Sequence, residues 1–201
     1  MKILMTAFNP FGGEPINASQ EALALLTPPE GIELSRMVVP TVFTYAAEQV
    51  ICRVKEDKPD AVICLGQATG RTAVTPERVA INLRDASLPD NAGFQPVDEP
   101  AIPGGPAAVF STLPVKRMVR AAQDLGLPAA VSNTAGTFVC NDLMYCLLSS
   151  LETVRSDTKA GFIHVPACRA PEMDPNLPTM PLETITATLE AMLCALLTDE
   201  K

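Results

Sequence analysis

Short apolar runs alternate with longer stretches of helical spacing along this chain. Strand-like runs occupy Lys2 to Thr6, Glu33 to Val39, Ala61 to Leu65, Glu77 to Leu83, Pro128 to Ser132 and Ala160 to His164. Helical spacing covers about Tyr45 to Glu56, Val115 to Leu125, Cys140 to Leu151 and Leu182 to Leu197. An earlier helix is announced by Asn17 with Gln20 three residues on, which reads as a capping box, and it runs through Leu23 and Leu26 to Pro28. In the last helix Ile185, Leu189, Met192, Leu193 and Leu196 form a broad apolar stripe, read as core packing. This alternation predicts an α/β fold, a mainly parallel twisted sheet covered by helices on both faces. No linker, repeat or low-complexity tract divides the chain, so residues 1–201 are expected to form one domain. Two long proline-rich loops, Arg84 to Pro106 and Val165 to Pro181, have the length at which loops in compact domains often carry function.

Composition narrows the function. With 47% hydrophobic and 19% charged residues the chain is that of a soluble, compact protein. No apolar run approaches the roughly 20 residues of a spanning helix, so no membrane partner is expected. A net charge of −8 argues against nucleic acid, whose phosphates require clustered Lys and Arg, and suits small neutral substrates. The N-terminal run from Met1 to Phe8 is interrupted by Asn9-Pro10 and is read as a first strand rather than a targeting segment. Of the six cysteines, Cys64 lies in a strand-like run and Cys52, Cys146 and Cys194 lie in helical patterns, unlike a disulfide-stapled scaffold, so a reducing cytoplasm is expected. One histidine and no C-x-x-C pair argue against zinc.

Within this frame Cys140 and His164 stand out. The run Pro128 to Ser132 leads through a small-residue turn into the helix that begins at Val139 or Cys140, which places a thiol at a helix start. Unpaired N–H groups there favour negative charge, so the site is expected to hold a thiolate and to stabilise an oxyanion. The run Ala160 to His164 ends on the only histidine, and chemistry in open α/β sheets gathers beyond such strand ends. The competing reading is an inert buried cysteine and a capping histidine.

A Cys/His pair needs a third group to orient the imidazole, and Glu77, Asp85, Asp90, Asp98 and Asn133 are candidates. Glu77 shares a strand face with Val79, Ile81 and Leu83, so it points inward, where a carboxylate requires a partner; Arg71 or Arg78 could supply one as a plain ion pair. The Gly66 to Arg71 turn lacks the Lys-Ser/Thr ending of a phosphate loop, so nucleotide binding is discounted. Phe8 and Phe11 cluster just after the first strand, where they either anchor a loop or wall a flat apolar pocket.

These features occur together, and in order, in one family. Ala7-Phe8-Asn9-Pro10-Phe11-Gly12-Gly13-Glu14, Thr75 through Asn82, Pro89-Asp90-Asn91, Val131 through Asn141 and Gly161 through Pro166 resemble pyroglutamyl peptidase type I, the pyrrolidone-carboxylate peptidases. The resemblance spans nearly the whole chain. It implies a single α/β cysteine peptidase domain in which Cys140 is nucleophile, His164 general base and acid, and Glu77 the residue orienting His164. It implies that Phe8 and Phe11 flank a pyroglutamyl ring, with Asn17 and Gln67 near the pocket. The substrates would be N-terminally pyroglutamylated peptides, hydrolysed through a thioacyl-enzyme without cofactor or metal, in a cytoplasmic enzyme that assembles as a homotetramer.

Two positions depart from the family pattern. Thr69 stands where Gly or Ala is usual, and Ser87 stands where Arg is common, with Arg84 in the same loop as a candidate substitute. Two rival functions remain at this level. An amidase of the glutamine-amidotransferase type also uses Cys, His and Glu, but on an elbow flanked by glycines that Thr137 to Asn141 lacks. A catalytically weakened pyroglutamyl-binding protein would retain the pocket without turnover, a reading opposed by the intact Cys140, His164 and Glu77.

Overall fold

In the computed structural model, which describes residues 1–154, 156–169, 174 and 176–197, every second side chain of the central strands faces one of two hydrophobic layers. The strands are β1 (Lys2–Phe8), β2 (Glu33–Val39), β3 (Ala61–Gln67), β4 (Thr75–Pro76), β5 (Val79–Ile81), β6 (Ala108–Phe110) and β7 (Lys159–Val165). The helices are α1 (Ala18–Leu25), α2 (Tyr45–Asp57), α3 (Val115–Gln123), α4 (Val139–Thr153) and α5 (Leu182–Cys194). The main sheet has the order β2-β1-β3-β7-β4, parallel except for the antiparallel edge strand β4. This is the expected helix-covered α/β fold.

Parity along the strands decides which residues can reach which helices. Ile3, Met5 and Ala7 of β1, Ile63 and Leu65 of β3, and Ile163 and Val165 of β7 pack into the layer shared with α1, α3 and α5. Leu4, Phe8, Val62, Cys64, Ala160 and Phe162 face the other layer, under α2 and α4. Because strand side chains alternate with a period of two, Gly66 and His164 also belong to the α4 side. At Gly161 the sheet is crowded from the opposite direction: an added Cβ would lie 2.3 Å from Ser111 Oγ and 2.7 Å from Leu113 Cδ1.

The expected strand Glu77 to Leu83 is broken in two. Thr75–Pro76 joins the main sheet beside β7, whereas Val79–Ile81 pairs with Ala108–Phe110 in a separate antiparallel ribbon. Pro76 has no N–H to continue a ladder, and the chain changes partner beyond it: Glu77 N–H donates to Phe162 O and Arg78 N–H to Ser132 O. The expected strand Pro128 to Ser132 is reduced to isolated bridges, Val74 with Ala129 and Glu77 with Ser132. Its extended backbone is nevertheless hydrogen-bonded to residues 74–78, so it still delivers the chain to the start of α4.

Helix α1 starts where the sequence placed it, but by simpler means than a capping box. Asn17 Oδ1 accepts from the Ser19 N–H at 3.0 Å and from the Ser19 hydroxyl at 2.7 Å, and Asn17 Nδ2 donates to the Asn9 carbonyl. Gln20 does not complete the box; its side-chain carbonyl is buried without a partner. Asn17→Ala should therefore lower stability by about 1 kcal/mol, and Asn17→Ser, a comparable cap, should restore most of it. Denaturant midpoints of the two variants check this, and an unchanged midpoint for Asn17→Ala would rule out the capping role.

Candidate active site

Three chain segments meet on the α4 side of the sheet. His164 is in β7, one residue before its end, Glu77 follows directly on β4, and Cys140 is the second residue of α4. Gly66 is the ladder partner of His164, and an added Cβ on Gly66 would lie 2.9 Å from Cys140 Sγ and 2.8 Å from Phe162 Cζ. The sulfur therefore rests against β3 at the residue directly beside His164. Only glycine leaves room for that approach.

The start of α4 is held down by its own first turn. Asn141 Oδ1 accepts the Ile81 N–H at 2.9 Å, and its Nδ2 donates to the carbonyls of Ile81 and Leu83. Buried Asp142 accepts the Thr44 N–H on Oδ2 and Arg84 Nε on Oδ1, each at 2.7 Å. Thr44 has φ +62°, a conformation strained for a β-branched residue and held here by that bond. Arg84 Nε is thus paired with Asp142 in the first turn of α4, and Ser87 lies exposed in the same loop.

His164 Nδ1 and Glu77 Oε1 are 2.7 Å apart, with both residues buried. Arg71 Nη1 donates to the same carboxylate oxygen at 2.7 Å. Burial pushes the Glu77 carboxyl up, but His164, Ser132 and Arg71 together outweigh it and hold it below its ordinary value. Glu77 is then an ionised acceptor, so Nδ1 carries the imidazole hydrogen and Nε2 presents a lone pair. Burial lowers the His164 pKa, Glu77 opposes and Arg71 adds to the lowering, so the ring is neutral at rest.

Cys140 departs from the sequence expectation of a resting thiolate. Burial pushes its thiol up to about 12, and the nearby Glu77 charge adds to this. Arg71 and the Cys140 backbone N–H oppose the shift without overcoming it. Desolvation outweighs the partial charge of one helix start. A neutral thiol against the strand residue paired with a neutral imidazole is an arrangement suited to general-base deprotonation during attack. Phe138, at the N-cap of α4, offers no capping side chain, so the first N–H groups of the helix face the site uncapped.

Of the anticipated binding residues, Phe11 lies at the site, its ring centroid 5.9 Å from that of Phe138. Phe138, missed in the sequence, contacts Phe43 in turn at 5.2 Å, edge to face. Its position immediately before Val139-Cys140 was the available signal. Phe8 is buried and packs 6.3 Å from Phe162, whose ring lies 4.8 Å from that of His164, so it forms the floor beneath the histidine. Asn17 is occupied by its capping bonds. Gln67 Oε1 accepts the Ala18 N–H at 2.7 Å and Nε2 donates to the Thr69 hydroxyl at 3.2 Å, so Thr69 supplies Gln67 with a partner. Asp90 and Asn91 join the surrounding loops, Asp90 through the N–H groups of Phe43, Ala92 and Phe94 and Asn91 through Pro10 O.

Comparison with known proteins agrees with this geometry. The family model for pyroglutamyl peptidase matches residues 1–199. A pyrrolidone-carboxylate peptidase of Streptococcus pyogenes serotype M12 is 50% identical over 198 residues, covering 98% of this chain and 92% of that protein. The crystal structure of Bacillus amyloliquefaciens pyroglutamyl peptidase I superposes with a TM-score of 0.92 at 43% identity, over 96% of this chain and 95% of that one. A mutant pyrrolidone carboxyl peptidase from P. furiosus gives 0.89 at 38% identity, over 98% of each chain. With a family match from end to end, relatives at this identity and the same fold, the chain belongs to the pyroglutamyl peptidase family.

Proposed function

We propose that this protein is a cysteine exopeptidase that hydrolyses the bond after an N-terminal pyroglutamate, with Cys140 as nucleophile, His164 as general base and acid, and Glu77 orienting His164. One observation carries the assignment of roles: the Cys140 sulfur lies against Gly66, the ladder partner of a histidine whose Nδ1 is fixed by a buried carboxylate. His164 Nε2 takes the thiol proton as sulfur attacks the pyroglutamyl carbonyl carbon. Negative charge develops on the carbonyl oxygen, where the uncapped N–H groups at the start of α4 receive it. The imidazolium then gives its proton to the departing amine nitrogen, the C–N bond breaks, and a thioester remains. Water, deprotonated by His164, attacks the thioester, releases pyroglutamate and returns the proton to sulfur.

The pyroglutamyl ring is small, flat and uncharged, with one N–H and one carbonyl. Phe11 and Phe138 offer apolar faces near Cys140, and Gln67, whose carbonyl is already occupied, retains one amide hydrogen to donate beside the one given to Thr69. Phe8 and Asn17 support this pocket, one from the floor and one by fixing the end of α1. The six free thiols suit a reducing compartment, and we assign the enzyme to the cytoplasm, acting without metal or cofactor as a homotetramer. No described helix is long and apolar enough to cross a membrane.

With a fluorogenic pyroglutamyl amide as substrate, Cys140→Ala should be folded and inactive, and His164→Ala should lose at least ~10² in rate. Full activity in either variant would overturn the triad. A prolyl amide has the same ring without the carbonyl and should be rejected by up to ~10⁴ in kcat/KM, because a site built around a hydrogen-bonding group is left unpaired by an analogue lacking it. Comparable values for the two amides would mean that shape alone selects the ring. Iodoacetamide labelling of Cys140 reads its charge state. With the thiol pushed up to about 12, labelling should slow steadily as pH falls from 8 to 5. A rate independent of pH over that range would identify a resting thiolate.

A further inference from the structure

The Glu77 carboxylate does not depend on His164 alone for its orientation. Arg71 lies in the turn after β3, and its guanidinium fork reaches two segments directly and a third through Thr75. Nη1 donates to Glu77 Oε1 at 2.7 Å, the oxygen that also meets His164 Nδ1, and it bonds the Thr75 hydroxyl. Nη2 donates to the Thr134 carbonyl at 3.1 Å, in the turn that leads into Cys140. The Thr75 hydroxyl in turn donates to the carbonyl oxygen of His164 at 3.3 Å. One side chain therefore bonds the segments of Glu77 and Cys140 directly and is linked to that of His164 through Thr75 and Glu77.

We propose that Arg71 is a positioning residue of the triad: it clamps the Glu77 carboxylate in the orientation that receives the His164 ring, and it ties the turn before Cys140 to the strand before Glu77. The inference rests on the Cys140-His164-Glu77 reading above. A planar guanidinium is suited to this task because its donors leave in fixed directions, whereas a lysine ammonium is a single point charge. The clamp also has an electrostatic side. The titratable groups acting on the two reacting side chains are Glu77 after β4, Arg71 in the turn after β3 and, for the thiol, Cys64 in β3. Arg71 favours the deprotonated form of both His164 and Cys140, so its removal makes both hold their protons more tightly. The acid limb of kcat/KM must then move to higher pH, whichever of the two groups the limb reports. An arginine that served only to stabilise the fold would change the amount of folded enzyme and leave the limb where it was.

The side chain of Arg71 is 26% exposed, so a small cation can enter the position it leaves. The test measures pH profiles of kcat and KM with the fluorogenic pyroglutamyl amide for Arg71→Ala, Arg71→Lys, Glu77→Gln and the Arg71→Ala/Glu77→Gln double mutant, with Cys140→Ala and His164→Ala as controls. Arg71→Ala should lose ~10²-fold, mainly in kcat, the scale expected when reacting groups are misplaced by a remote change. Its acid limb should move up in pH, and millimolar guanidinium should restore part of the rate. Arg71→Lys should keep the limb close to the parent's while kcat stays depressed. The double mutant should be no slower than Glu77→Gln alone, since residues acting through one another are not additive. The proposal is overturned if folded Arg71→Ala has the parental kcat and limb, or if its loss adds in full to that of Glu77→Gln. Should Arg71→Ala fail to fold, Arg71→Lys decides: a parental kcat there overturns the clamp. Activity retained in Cys140→Ala or His164→Ala overturns the triad itself, a result distinguishable from failure of the clamp.

Discussion

The approach of α4 to the sheet at Gly66 is the constraint on which the site depends. A sulfur atom in contact with a strand backbone needs a residue without a Cβ beneath it, a ring beside it and a helix start held at fixed height. Gly66 provides the first, and register with β7 provides the second, because Gly66 and His164 are ladder partners. The third comes from Asn141 and Asp142, which follow Cys140 and are buried away from solvent. Asn141 alone makes three bonds to Ile81 and Leu83, each contributing about 1 kcal/mol net. The two-stranded ribbon beside the main sheet is thus part of the support of Cys140, and the break in the strand at Pro76 places it there.

Burial sets the chemistry as firmly as geometry does. The same desolvation that keeps the Cys140 thiol and the His164 ring neutral would also neutralise Glu77, were it not for the donors gathered on Oε1. Charge-assisted bonds of this kind are roughly twice as strong as neutral ones, which is how one carboxylate remains ionised where its neighbours do not. The site therefore stores its negative charge on Glu77 rather than on sulfur. In the proposed mechanism proton transfer and bond formation then belong to the same step, and the positive charge on His164 would arise beside a carboxylate already in place.

Much of this was legible in the chain. β2 was bounded correctly by its apolar run, and β1, β3 and β7 differ from the reading by one or two residues at their ends. Cys140 was placed at a helix start because the pattern changes period there, and Glu77 was flagged because a carboxylate alternated with apolar residues. What escaped the reading depended on contacts distant in sequence. Arg71 and Glu77 appeared as one possible ion pair, since no pattern shows that Arg71 also reaches Thr134. Phe138 reads as one more apolar residue before a helix, and its contact with Phe11 exists only once the loop after β1 and the start of α4 have been brought together. The burial that pushes the Cys140 thiol up is not visible in sequence, whereas the helix start that would lower it is.

The two departures from the family pattern illustrate how differently such changes are absorbed. Thr69 falls where a hydroxyl can be used at once, since the Gln67 amide donates to it while its carbonyl holds the start of α1. The change adds a bond to a side chain already fixed at one end, and it narrows the directions in which that amide can turn. Ser87 is different, because a short hydroxyl on an exposed loop cannot reproduce the reach of a guanidinium. Nor is the nearby arginine idle: Arg84 neutralises Asp142 within the first turn of the nucleophile helix, where a buried carboxylate without a partner would weaken the fold. Positive charge in this loop therefore serves the seat of α4, and in the proposed mechanism the developing oxyanion falls to the backbone N–H groups at the helix start, which need no side chain from the loop.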